Sequence, residues 1–228
     1  MFDFSKEAIF SMFLSLPAIL FCLSIHEFSH GWVANKLGDH TAQNFGRLTL
    51  NPVKHIDPFG FIALLFAGFG WAKPVPVNPR NLGKPKRDMA LVGLAGPVSN
   101  LLCAFIFAFV YALCYKLCGE YIIENYATIT EKNANLIGYF LILIEAFVSI
   151  NLGLAVFNMI PVPPLDGSRI LDSVLPSKVY ALYHKYEQYV SVAFIILILA
   201  TDVLEWIIGP AVSYLYKAVM YIPSKVLF

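Results

Sequence analysis

Residues 136–160 run for 25 positions with a single charge, Glu145, and that stretch limits the fold more than any other feature. As a helix rising about 1.5 Å per residue it is roughly 37 Å long, more than the ~30 Å hydrocarbon core of a bilayer. Backbone polar groups at that depth must be satisfied within the segment, so the run can cross only as a helix. Runs at 7–34, 88–117 and 190–208 repeat the pattern. Hydrophobic residues make up 58% of the chain and charged residues 14%, against about 45–50% and about 25% in a soluble domain. The prediction is an all-α polytopic protein of the cell membrane, with four core transmembrane helices within residues 1–208. A C-terminal amphipathic tail, 209–228, is expected to begin at the helix-breaking pair Gly209-Pro210.

The connections differ in character. Residues 39–87 hold Gly46, Pro52, Pro58 and a cluster of four prolines between Pro74 and Pro85, which argues against long helices. Residues 47–50 are expected to form a short strand and 71–79 an extended edge strand, together a β-ribbon at the membrane face. Residues 59–69 are apolar but only eleven long, so they predict a re-entrant or interfacial element. Residues 168–189 are expected to form a surface helix. Placing the connections after the first and third spans on one side gathers eleven of the sixteen Lys and Arg residues there. The positive-inside rule then puts that side in the cytosol and the N-terminus outside.

A net charge of +1 excludes a nucleic-acid partner as an expectation. Cys22, Cys103, Cys114 and Cys118 lie in or at the ends of apolar runs without C-x-x-C spacing and read as small buried hydrophobes. Residues 1–7 carry one lysine and two acids with no cleavage site after them, unlike a removable signal peptide.

His26-Glu27-Phe28-Ser29-His30 lies behind the apolar run of the first span. On a helix, His26 and His30 stack one turn apart and can offer two imidazoles to one metal, with Glu27 beside them as a base. Ionisable groups at membrane depth are costly and point to function. A catalytic zinc needs a third protein ligand and an open position. The positions where an extended motif would place a glycine and a third histidine are Val33 and Lys36, and no glutamate occurs between Glu27 and Glu120. Asp166, at the break after the third span and on the same predicted face, is the better candidate. His40 and His55 are alternative ligands or caps. Asn158 reads either as a hydrogen-bond partner for a substrate backbone or oxyanion, or as an interhelical hydrogen-bonding residue. Asn100 and Asn151 read as the latter.

These motifs resemble the site-2 proteases, zinc metalloproteases that cleave within membranes. The resemblance rests on His26 to His30, on Gly96-Pro97-Val98-Ser99-Asn100 and on the segment from Asn158 to Asp166-Gly167, with Asn51-Pro52 and His55-Ile56-Asp57-Pro58 between them. It implies one Zn2+ per chain held by His26, His30 and Asp166, with Glu27 as general base and acid and Asn158 helping to hold substrate. In one respect the chain departs from the pattern: it is expected to be a compact form, with no residues left for the PDZ or CBS domains that many members carry. The expected partners are the lipid bilayer and a transmembrane protein substrate, whose peptide bond is cut within or near a membrane span. The alternative is a catalytically silent membrane scaffold or metal-ion transporter using the same site.

Overall fold

A computed structural model describes residues 5–67, 70–201 and 203–227. Eight helices run in the order α1 (Lys6–Lys36), α2 (Thr41–Asn44), α3 (Pro58–Ala67), α4 (Pro85–Glu124), α5 (Glu131–Asn158), α6 (Asp166–Val174), α7 (Ser177–Ala200) and α8 (Val203–Leu227). Three of them are long and apolar enough to cross a membrane: α1 from Phe10, α4 and α5. Their ends carry ordinary stop and start signals. Gly38, at φ 104°, takes the left-handed conformation that closes α1. Pro85 opens α4, with the Asp88 carboxylate accepting from the Lys84 N–H at 2.7 Å. Thr130 caps α5.

α1, α4 and α5 pack against one another, and α8 lies against α4 and α5. Between helices in lipid there is no hydrophobic driving force, so close packing has to supply the attraction. α4 provides for this with Ala104, Ala108 and Ala112, a buried stripe at four-residue spacing, into which α5 sets Val148 and Leu152 and α8 sets Val219. At the same level, Phe107 of α4 stacks on Phe147 of α5 at 4.4 Å, and Phe21 of α1 meets both rings edge-on. The three spans are thereby clamped about a turn and a half from His26.

Several expectations need correction. Residues 47–50 are not a strand, and residues 71–79, although extended, make one isolated antiparallel bridge, Ala72 to Ile56; the described residues contain no named strand. Pro74, Pro76 and Pro79 have no N–H to donate, so a ladder cannot grow from that bridge. The guanidinium of Arg47 partly replaces a partner strand, donating to the carbonyls of Lys73 (2.8 Å) and Pro74 (3.3 Å).

The expected fourth span, 190–208, is not one helix. α7 ends at Ala200 and α8 starts at Val203, whose N–H is accepted by Thr201 Oγ1 at 3.4 Å. Gly209-Pro210 lies inside α8 instead of ending a helix, and residues 209–227 are not a free tail. Packing of Val212, Leu215, Tyr216, Val219 and Met220 onto α4 and α5 outweighs the local proline signal.

The apolar element expected at 59–69 is the ten-residue α3, about 15 Å long and too short to span; residues 68 and 69 lie outside the described residues, as do residues 1–4 of the expected N-terminus. The expected surface helix at 168–189 is two helices, α6 and most of α7, parted at Leu175-Pro176.

Candidate active site

His26 and His30 lie one turn apart on α1, both buried, with their Nε2 atoms 3.0 Å from each other. Asp166, the first residue of α6, brings Oδ2 to 3.0 Å from His26 Nε2 and 3.2 Å from His30 Nε2. Glu27 completes the group, its donor atoms and those of the two histidines lying within 4.8 Å of one another.

Hydrogen bonds on the far side of each ring fix the protonation of the near side. His30 Nδ1 lies 2.7 Å from the Val92 carbonyl, and His26 Nδ1 lies 2.6 Å from Asn100 Oδ1. Both partners can only accept, so each Nδ1 carries the proton and each Nε2 turns a lone pair inward. The Asn100 amide is itself oriented, because its Nδ2 donates to the Cys22 carbonyl at 3.2 Å and to Asn151 Oδ1 at 2.7 Å. Asn151 Nδ2 in turn donates to the Phe147 carbonyl at 2.7 Å. A hydrogen-bond chain from α5 through α4 thus sets the tautomer of a histidine on α1.

With both Nδ1 protons turned outward, two imidazole Nε2 atoms and a carboxylate oxygen converge at 3.0–3.2 Å from one another, and Asp166 Oδ2 is buried with no partner outside this group. Such a group is unfavourable unless a cation sits among them. Nitrogen and oxygen donors about 2.0–2.1 Å from a tetrahedral Zn2+ stand about 3.3 Å apart, close to the separations here. The residues fit that ion.

The backbone makes room for the cluster at two glycines. A Cβ on Gly96 of α4 would lie 2.6 Å from His30 Nε2 and 2.7 Å from His26 Nδ1, so α4 can approach the imidazoles only with glycine there. A Cβ on Gly167 would lie 2.5 Å from the carbonyl oxygens of Met159 and Ile160, so the turn that delivers Asp166 also depends on glycine.

The extended segment forms the other wall. Its Val75 N–H donates to Glu27 Oε2 at 2.8 Å. Further along, the fully buried Asp39 accepts from the Asn78 N–H (2.7 Å), Asn81 Nδ2 (2.8 Å) and both Thr41 donors. Burial works against ionisation of Asp39, but those hydrogen bonds outweigh it and hold its pKa below the ordinary carboxylate value. Glu27, Asp39 and Arg47 together moor the segment from residue 73 to residue 81.

The structure does not bring every candidate to the cluster. Asn158 bonds its own helix, donating to the Leu154 carbonyl at 3.0 Å. His40 pairs with Asn35, and His55 is held by the Thr49 carbonyl; neither joins the histidine–carboxylate group. Asn100, read from sequence as an interhelical residue, also orients the imidazole of His26. The available signal was its position one turn after Gly96, on the face of α4 that the glycine opens toward α1.

The model of peptidase family M50 matches residues 14–201. "Putative zinc metalloprotease YwhC" of Bacillus subtilis (strain 168) is 42% identical over 179 residues, covering 78% of this chain and 77% of that one. "Putative zinc metalloprotease Rip2" of Mycolicibacterium smegmatis is 25% identical over 197 residues, covering 85% and 69%. "Putative zinc metalloprotease MJ0611" of Methanocaldococcus jannaschii is 29% identical over 173 residues, covering 75% of each. No solved structure matches the chain. The family match runs from the first span through both asparagines of the hydrogen-bond chain to Asp166 and beyond, and on that extent this chain belongs to peptidase family M50, the site-2 protease family, whose cofactor is Zn2+.

Proposed function

We propose that this membrane protein is a zinc-dependent endopeptidase that hydrolyses a peptide bond within or near a transmembrane segment of another protein. The observation that carries the reading is the convergence of the buried Asp166 Oδ2 and the Nε2 atoms of His26 and His30 beside Glu27. His26, His30 and Asp166 would hold Zn2+ with a position left open, and the ion when bound supplies a Lewis acid and an acidified water.

Glu27 takes up a proton from the attacking water and returns it to the leaving amine. The Val75 N–H occupies Oε2 and so orients Oε1 for that transfer. Asn100 and the Val92 carbonyl keep the two imidazoles in one tautomer throughout. Asn158, at the C-terminal end of α5, holds the substrate backbone. A helical substrate hides its carbonyls in its own hydrogen bonds and has to unwind first; lying along the extended segment 71–79 replaces some of those bonds. The eleven basic residues gathered on one side support a cytosolic-facing site and an outward N-terminus.

The test is where the cut falls. Purified protein in liposomes is given a tagged single-span reporter, and the products are sized by mass spectrometry. The reading expects cleavage inside or within a few residues of the apolar segment. Cleavage confined to the soluble flanks would contradict it.

A further inference from the structure

A cavity of about 350 Å3 lies between α1, α3 and α5, next to the cluster and not used by the chemistry above. Its walls are apolar, with Leu20, Leu23, Leu64, Leu154 and Phe157 among them. The chain ties it to the catalytic group at two places. Ser24, which lines it, stands two residues before His26, and Trp71 and Ala72, which also line it, lead in three residues to Val75 and its bond with Glu27.

One polar group in this apolar wall lacks a partner. His55 is 2% exposed, its Nε2 lies 2.7 Å from the Thr49 carbonyl, and its Nδ1 is buried with no hydrogen bond. The carbonyl can only accept, so Nε2 carries the proton and the neutral ring offers a lone pair at Nδ1. Leaving a buried acceptor unmade is costly, which points to a donor that arrives from outside the chain. Asp57, the acid on this wall, is not that donor: its carboxylate accepts, at Oδ1 from the Gly60 N–H at 2.9 Å.

We infer that this cavity is the specificity pocket of the peptidase: it receives a bulky apolar side chain of the unwound substrate next to the scissile bond, while His55 Nδ1 accepts a backbone N–H of the same segment. An unwound stretch of a transmembrane helix carries both features, large apolar side chains and N–H groups released from their own helix. A soluble polar peptide lacks the first. The inference rests on the endopeptidase reading and adds to it the site that selects the side chain beside the cut.

Gly153 offers a means of testing it. This glycine lines the cavity, and a Cβ built on it meets nothing within 4 Å, so a larger side chain enters the cavity without displacing the fold. The probes are single-span reporters with an alanine-rich apolar segment in which one Phe is moved residue by residue, cleaved in liposomes. Wild-type protein is expected to favour Phe over Ala at one position beside the cut. Gly153→Leu is expected to reduce that preference by about tenfold or more, the scale on which an apolar pocket discriminates by size; Gly153→Ala should do so by less. Gly138→Leu, on the same helix at a site also open to solvent or lipid, should leave the preference as it is. His55→Phe keeps the ring but removes the acceptor, and should lower kcat/KM for all reporters while the Phe preference persists. If Gly153→Leu cleaves every reporter with the wild-type preference, the pocket holds something else, such as a lipid chain, and the inference is overturned while the peptidase reading stands. If wild type cleaves none of the reporters, both are overturned.

Discussion

The backbone N–H of Val75 donates to the carboxylate of Glu27 across 48 positions of sequence, at 2.8 Å. That bond joins the proposed base of the motif to the segment on which a substrate would lie, so anything that shifts the segment also shifts the base. Val75→Pro removes the donor while keeping an apolar side chain at a buried site flanked by prolines. We expect kcat to fall by about 10- to 100-fold, at or below the lower end of what proton transfer contributes because the base is displaced and not removed, with zinc content unchanged. Steady-state kinetics and metal analysis of the same preparation check it.

Asn100→Leu cuts the hydrogen-bond chain that fixes the His26 tautomer. Loss of such an outer partner costs roughly 10- to 100-fold in metal affinity. Competition with a zinc chelator should register that loss, and Asn100→Asp, which keeps an acceptor facing Nδ1, should recover part of it.

Gly96→Ala places a methyl group against both imidazoles and should abolish stoichiometric zinc binding. Gly138→Ala is the contrast, since nothing lies near its Cβ; removing a helix-interior glycine there should be neutral or stabilise by up to about 1 kcal/mol. Thermal unfolding and zinc content together separate the two cases.

Asp39 predicts a pH dependence. Its folded pKa lies below the ordinary value, so the stability it contributes is present above the unfolded pKa of about 3.9 and is lost as pH falls through the folded value. Protection of residues 78–81 from hydrogen exchange should therefore be flat from neutral pH to about pH 4 and decline below it. In Asp39→Asn, protection of that stretch should be weaker at neutral pH and lack this acid step.

Much of the fold was legible because long runs with almost no charge leave a chain few alternatives in lipid. The histidine pair was legible because a four-residue spacing fixes geometry on a helix, and Asp166 because acids are scarce in this chain. The rest depended on contacts far apart in sequence. Asn100 meets His26 across 74 positions, which local reading cannot supply. The alternating pattern of 71–79 suggested a strand, but its prolines withhold the donors a ladder needs. At Gly209-Pro210 a local stop signal lost to the packing of α8 against α4 and α5.

The central claim is most directly tested by comparing wild type with Glu27→Gln in liposomes, measuring reporter cleavage and bound zinc on the same samples. The account predicts one zinc per chain in both proteins and cleavage lower by about 1000-fold in the variant, the middle of the range for a general base. Equal cleavage by the two proteins, or wild-type protein that binds zinc and cuts no reporter, would contradict it.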